Sequence, residues 1–592
     1  MRVSSIAILA MLVIFTLGMS VLATALYRVQ VNDVAQFRER LEHQATRRIS
    51  IPGRRGRILD RNGRVLADSR PCHDIVCHME NFKRSGGWSN TVNAVDAELA
   101  HLSAVLRLPR TISSERIARH LRESSALPLT VWRDIDDSAL ARFSERAADF
   151  PGFSDVLRAE RIYPCGEIAA HVVGYTGRGR PDTQTGDTVV HFFEELEVKG
   201  RSGVEGFYDG YLSGAPGERR VRVDARGFRK DAGIVEREPE HGPDLQLTID
   251  SDLQRALEKS LSGTVGAGVI LDPRDGAVLA LASSPAFNPD EWRQRHAEML
   301  NDPAQPLYNR AVSGLYPPGS IFKPITSVAA LQRAATDSAF AWSPDDKYDC
   351  PGVFVLGDMR LHCWDRYGHG PITLRTAIEQ SCNAYFCNLG HLTGTNALFR
   401  TARAFGLGAQ TGIDLGGEAA GAISGEPWYA GHTCHTAIGQ GFLLVTPVQM
   451  AVVCATLANG GSVYVPYLHL RGANDARPVP VRKLGCSASD LEIVRAGMRD
   501  VVENGTGRRI RTRYDEKNRP RFRLRTSCAG KTGTAERGRG RKDTWIIAFA
   551  PYDNPTVAMA MVVENGESGG KTTAPLAHQV LARIFGEEEV SS

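Results

Sequence analysis

Net charge is nearly absent from this chain: 71 Lys and Arg face 67 Asp and Glu, leaving +4 over 592 residues. So close a balance gives nucleic-acid binding no support, since that needs a basic surface. Internal repeats are missing too, which removes solenoids and propellers. Only one apolar run is long enough to span a bilayer, so the bulk of the chain falls in the soluble globular class, with 42% hydrophobic and 23% charged residues. Paired cysteine is not indicated either. Eleven cysteines is an odd number, and a chain this long does not need stapling, so most are expected to be buried thiols.

The length exceeds one hydrophobic core, and two or three folding units are expected. The apolar run extends from Ile6 to Tyr27 without a charge, enough at ~1.5 Å per residue to cross a hydrocarbon layer of roughly 30 Å. Arg2 and Arg28 flank it, too even a bias to orient it. Ala23-Thr24-Ala25 mimics a signal-peptidase site, but the run is longer than a usual signal core, which favours an uncleaved anchor. Either reading takes the rest of the chain out of the cytoplasm.

Three units follow: residues 1–27 as tip and anchor, 28–240 as a non-catalytic pedestal, and 241–592 as the chemical domain. A charged helix is expected over Val31 to Arg48, and a hairpin around Asn62-Gly63. Residues 90–150 read as helical, 180–188 as a polar loop, and Arg219 to Val223 as strand-like. The charged, proline-bearing stretch Asp231 to Pro243 marks the boundary. Beyond it come a strand at Leu245–Ile249, a helix at Ser251–Leu261, and apolar pairs at Ala267–Asp272 with Ala277–Ala282 and Thr544–Ala550 with Thr556–Glu564. Ala574–Phe585 closes as an amphipathic helix. Strands at both ends with helices between them predict an α+β domain: an antiparallel sheet with a helical subdomain.

Three motifs in the second half carry chemistry: Ser320-Ile321-Phe322-Lys323, Ser381-Cys382-Asn383 and Lys531-Thr532-Gly533-Thr534. Each alone is weak; a serine and lysine on a helix surface, a helix cap and a plain turn account for them separately. Together, in this order, they describe serine acyl transfer. Ser320 and Lys323 share one helix face, with Tyr316-Pro317-Pro318-Gly319 as a stiff approach. A hydroxyl needs a base, and a desolvated lysine near a second cation such as Lys531 can supply one. Ser381 would relay protons and Asn383 would hold a substrate amide. Lys531, Thr532 and Thr534 on an edge strand would present donors to a carboxylate, with Gly533 letting a substrate backbone lie close. Backbone N–H groups of Ser320 and Thr534 are the expected oxyanion donors.

On these residues the chain resembles the class B penicillin-binding proteins. The segments Arg55–Ala67, His171–Gly177, Gly203–Gly206, Thr411–Leu415 and Gly439–Gly441 extend the resemblance over nearly the whole chain. It implies a penicillin-binding transpeptidase fold, a single-pass anchor in the plasma membrane and a catalytic domain outside it. Ser320 would attack a terminal D-Ala-D-Ala of a peptidoglycan stem peptide, and β-lactams would acylate the same serine. No catalytic cofactor is implied. The 28–240 region lacks the E-D-x-x-F-type motif of bifunctional relatives, so a membrane-embedded glycan polymerase and other elongation-machinery proteins are the expected partners. Septal cross-linking is the alternative within the family. Serine β-lactamases share the motifs, and Glu418 lies about where their class A base would fall; a β-lactam receptor is a remoter alternative.

Cys350, Cys363, His369 and Cys382 are separated by twelve, five and twelve residues. Three thiolates and an imidazole suit a closed structural Zn2+ site. With Cys363-Trp364 and Gly368-His369-Gly370, the arrangement resembles the elongation-type group of the family. Some members of that group carry zinc there with carboxylates in place of some cysteines, as Asp349 and Asp365 could be here. A Cys350–Cys363 disulfide or a set of plain buried thiols fits the spacing as well. The arginine-rich stretch from Arg508 to Lys542, with Arg519, Arg521, Arg523 and Arg525, reads either as solvated flexible loops or as a positive rim for carboxylate-bearing peptides or anionic lipid.

Overall fold

A computed structural model describes residues 5–33, 46–179, 191–193, 197–231, 233–423, 429–470, 472, 478–538 and 540–590. Its chemical domain is built on a five-stranded antiparallel sheet in the spatial order Val278–Ser284, Gly266–Leu271, Val557–Val563, Lys542–Ala550 and Ala529–Glu536. Every residue of the strands Gly266–Leu271, Val278–Ser284 and Val557–Val563 is buried, so both faces are covered. Alternation along the strand sends Val269 and Leu271 into the large core of the helical subdomain, and Ile270 against Leu257, Val580 and Leu581 of the two helices on the other face. Those helices are Ser251–Leu261 and Ala574–Phe585, where the apolar periodicity places them. Between the sheet's halves of sequence lies the helical subdomain. Its helix Pro447–Ala458 is buried at all its positions and starts from a Thr446–Gln449 capping box.

The pedestal centres on the strand Val65–Cys77, which pairs with Ile58–Leu59, Leu129–Ile135 and Phe153–Ile162. The hairpin at Asn62-Gly63 forms as expected, with Asp60 accepting from the N–H groups of Asn62 and Arg64. Helices Trp88–Leu106, Ser114–Glu123 and Asp137–Glu145 bury Leu99, Leu102, Ile117 and Phe143 against the sheet. The strand Leu129–Ile135 interrupts the region read as helical; its Val131 and Trp132 make the packing surface that overrides charge-rich local sequence. Of the expected helix Val31–Arg48, residues 34–45 lie outside those described, and the final part is strand Thr46–Ile51, drawn into pairing with Gly217–Arg222. The polar loop 180–188 also lies outside the described residues.

Two segments that carried the family resemblance turn out to meet. Arg55 Nε and Arg161 Nε donate to the two oxygens of the fully buried Glu205, at 2.5 and 2.7 Å. At the domain junction Asp60 Oδ2 accepts from Ser251 Oγ at 2.6 Å, and Tyr208 OH donates to Asp414 Oδ2 at 2.6 Å. The expected strand Leu245–Ile249 shortens to Leu245–Gln246, which runs parallel to Ile58–Leu59 and so joins the pedestal sheet. Among the described residues one apolar helix, Ser5–Tyr27, is long and apolar enough to cross a membrane.

Candidate active site

Ser320 sits in a single 3-10 turn, Gly319–Phe322, which runs straight into the α-helix Lys323–Thr336; Pro324 is tolerated in that helix's first turn. The turn is pinned on several sides. Tyr316 exchanges backbone hydrogen bonds with Val445, Gly319 N–H donates to Gly439 O at 2.8 Å, and Trp545 Nε1 donates to Pro317 O at 3.0 Å. A Cβ on Gly439 would lie 2.0 Å from Gly319 O, so only glycine fits at this contact.

Lys323 and Lys531 are both fully buried, and they converge on one hydroxyl. Lys323 Nζ lies 3.2 Å from Ser381 Oγ and donates to Ser381 O at 2.7 Å and Asn383 Oδ1 at 2.8 Å; Lys531 Nζ donates to Ser381 Oγ at 2.8 Å. Ser381 takes the left-handed backbone conformation, φ +54°, unusual for a residue with a side chain and a mark of a site held by its surroundings. Burial draws Lys323 down to about 8. Burial again, then the neighbouring charge of Lys323, draws Lys531 well below the ordinary lysine range. The neutral amine needed as a base is therefore accessible near neutrality.

Lys531 to Thr534 lie on the sheet's edge strand, as read from the sequence. Gly533 carries a packing constraint besides the one expected. A Cβ there would stand 3.0 Å from Ile321 Cγ2 and 3.1 Å from Pro318 O, so the missing side chain admits the turn that bears Ser320. Thr534 O likewise comes within 2.7 Å of where a Cβ of Gly319 would be. Ser320, Ser381, Asn383, Thr532, Gly533 and Thr534 line one cleft of about 1220 Å³.

Other lining residues escaped the sequence reading. Thr506 Oγ1 is 2.8 Å from Thr532 Oγ1, and Gly569 N–H donates to Thr534 Oγ1 at 3.2 Å, so two loops far apart in sequence brace the edge strand. His432, His435 and Phe442 line the cleft beside the Gly439–Gly441 segment, which the resemblance flagged without a role. The arginine-rich stretch is not a loose loop: Thr512–Tyr514 and Pro520–Leu524 form a small sheet with Glu587–Glu589. Arg511 and Arg523 pair with Glu503, and Arg519 with Asp515, while Arg508 and Arg509 line the cleft. Glu418 is spent elsewhere, accepting from Thr411 N–H and Oγ1 and from Gly412 N–H, and it is not among the cleft's lining residues.

The Cys350, Cys363, His369 and Cys382 cluster does assemble, its four ligand atoms lying within 4.8 Å of one another. Cys350 and Cys363 Sγ are 3.7 and 3.6 Å from His369 Nδ1, and Cys382 Sγ is 3.4 and 3.9 Å from the sulfurs of Cys350 and Cys363. Tetrahedral zinc with its usual bond lengths calls for edges of about 3.4–3.8 Å, so the donors fit. All eleven cysteines are unbridged, so the Cys350–Cys363 disulfide is not formed. Neither Asp349 nor Asp365 joins the group. The cluster borders the second motif: Cys382 follows Ser381, Trp364 Nε1 donates to Gln380 O at 2.8 Å, and Asn383 Nδ2 to His362 O at 3.4 Å.

Residues 266–582 match the penicillin binding protein transpeptidase domain, and residues 50–247 the penicillin-binding protein dimerisation domain. The peptidoglycan D,D-transpeptidase MrdA of Acinetobacter baumannii is 33% identical over 599 residues, covering 95% of this chain and 84% of the relative. The crystal structure of Pseudomonas aeruginosa PBP2 in complex with WCK 5153 superposes with a TM-score of 0.65 at 28% identity, over 91% of this chain and 96% of that one. A chain from a structure of a peptidoglycan synthase complex that coordinates polymerization and crosslinking reaches 0.68 at 29% identity, over 98% of both. With one domain match covering more than half of its length and a relative sharing a third of its residues from end to end, this protein belongs to the penicillin-binding protein transpeptidase family.

Proposed function

We propose that the protein is a peptidoglycan D,D-transpeptidase of the elongation type, working through an acyl-enzyme on Ser320. The observation that carries this is the meeting of two buried lysines on Ser381 beside the Ser320 turn. In the first half-reaction Ser320 Oγ bonds to the carbonyl of the penultimate D-Ala, its proton passing to neutral Lys323. Ser381 and Lys531 carry a proton to the departing D-alanine amine as the peptide bond breaks. In the second, the amine of a neighbouring stem attacks the ester, the same groups take its proton, and Ser320 regains its own. Asn383 orients a substrate amide, and Lys531, Thr532 and Thr534 receive the terminal carboxylate. Ser320 and Thr534 N–H groups stabilise the oxyanion. Glu418, committed to the Thr411 turn, is no deacylating base, which argues against β-lactamase action.

Residues 1–27 anchor the protein in the plasma membrane, 28–240 form the pedestal, and 241–592 the outward-facing catalytic domain. A membrane-embedded glycan polymerase is the expected partner, a reading supported by the superposition on a synthase-complex chain. Cys350, Cys363, His369 and Cys382 would hold a structural Zn2+, which braces the segment bearing Ser381 and takes no part in the chemistry. Fluorescent penicillin labelling of wild type beside Ser320→Ala tests the assignment. Wild type should carry a long-lived adduct and the variant none; a label that persists in Ser320→Ala overturns the reading, as does rapid turnover of the drug.

A further inference from the structure

One carboxylate outside the three motifs joins the segment before the Ser320 turn to the residue that follows the Lys531–Thr534 strand. Glu564 follows the central strand Val557–Val563, and its side chain is 18% exposed. Its Oε1 accepts from Tyr316 OH at 2.9 Å and from Arg310 Nε at 3.2 Å; its Oε2 accepts from Arg537 NH1 at 3.3 Å. Tyr316 lies four residues before Ser320, is 2% exposed, and reaches it through the stiff Pro317-Pro318 pair. Arg537 directly follows the edge strand Ala529–Glu536, and its Nε also pairs with Asp543 Oδ2 at 3.0 Å. Between these two, the Arg537 guanidinium sits 5.3 Å over the Tyr316 ring, whose other neighbour is the edge of Trp545, centroids 5.9 Å apart.

Arg310 is buried and its other nitrogens donate to Gln305 O and Ala304 O, so it is fixed before it meets Glu564. Backbone contacts between the Gly319 turn and Thr534 leave no slack, since a single added carbon would clash. An error of an ångström between nucleophile and oxyanion donors costs acyl transfer roughly a hundredfold. Tyr316 stays protonated, because burial and the Glu564 charge hold its phenol above the ordinary range, so it remains the donor.

We propose that Glu564 is a positioning residue for acyl transfer: through Tyr316 OH on one side and Arg537 on the other, it sets the separation of the Ser320 turn from the Lys531–Thr534 strand. This rests on Ser320 being the nucleophile. It acts on the acylation step and not on ligand binding, because Glu564 is not among the residues lining the cleft.

The test is saturation kinetics of acylation by a fluorescent penicillin on the full chain, resolving the dissociation constant from the acylation rate constant. Tyr316→Phe removes one hydroxyl and keeps the ring, so it is the variant most apt to fold. It should slow acylation tenfold or more with the dissociation constant changed less than twofold and the melting temperature nearly kept. Glu564→Gln should slow acylation at least as much, and the double variant no more than Glu564→Gln alone, because both cut one connection. Should Glu564→Gln not fold, Tyr316→Phe decides. An acylation constant within twofold of wild type in Tyr316→Phe overturns the proposal, as do multiplicative effects in the double variant. Either result with wild type still labelled at Ser320 leaves the transpeptidase reading standing, whereas labelling that survives in Ser320→Ala removes both.

Discussion

Two amines and one hydroxyl set how this site answers to pH. As the proposed base Lys323 would have to be neutral, and burial brings it to about 8. The reactive fraction therefore grows as pH rises. Acylation should climb about tenfold per pH unit below that value and level off above it, with stopped-flow penicillin kinetics between pH 6 and 9.5 as the measurement. A flat profile across that window would remove Lys323 as the base. Ser381→Ala takes away the shared partner of both lysine side chains, leaving Lys531 Nζ with Thr532 O. It should cost about 10²–10⁴ in acylation while leaving the protein folded, as circular dichroism would check.

Loops and strands determine how much of this was readable in advance. The three motifs were legible because each is a short run whose residue types are dictated by chemistry. The strand and helix periodicities of the catalytic domain were legible because fully covered sheets and amphipathic helices leave strong patterns. The bracing residues were not: Thr506 and Gly569 act on Thr532 and Thr534 from loops 26 and 35 residues away, and nothing local marks them. The second constraint on Gly533, its packing against Ile321, was hidden for a related reason, since that neighbour comes from a turn over two hundred residues earlier. The Cys-His loop was legible as a ligand set but not as a choice between metal and disulfide; the donors come together with the cysteines unbridged, which removes the disulfide and leaves the metal as the proposal. Metal analysis of the purified protein should find about one zinc per chain. Stripping it with a chelator, or Cys363→Ser, should lower the melting temperature by roughly 5–10 °C and slow acylation in parallel. A stoichiometry near zero would refute the metal reading.

Across the whole molecule, pedestal and catalytic domain are tied by polar groups that tolerate little change. Glu205 pairs with both Arg55 and Arg161 where water does not reach; Glu205→Ala would leave the buried Arg161 without its carboxylate and Arg55 with Asp209 alone. That should destabilise the pedestal by about 3–5 kcal/mol, read from denaturant unfolding, while any protein that remains folded keeps its penicillin reactivity. Hydrogen bonds from Ser251 to Asp60 and from Tyr208 to Asp414 carry the connection into the catalytic domain. The short strand Leu245–Gln246 belongs to the pedestal sheet and lies inside the stretch 50–247 that matches the dimerisation domain, past the expected boundary at residue 240. Severing the polypeptide at residue 240 would therefore yield two incomplete fragments, one missing its flanking strand and the other displaying the apolar Leu245 and Leu247 to solvent. Neither half should survive in solution by itself, and mixing them should restore what separate expression loses.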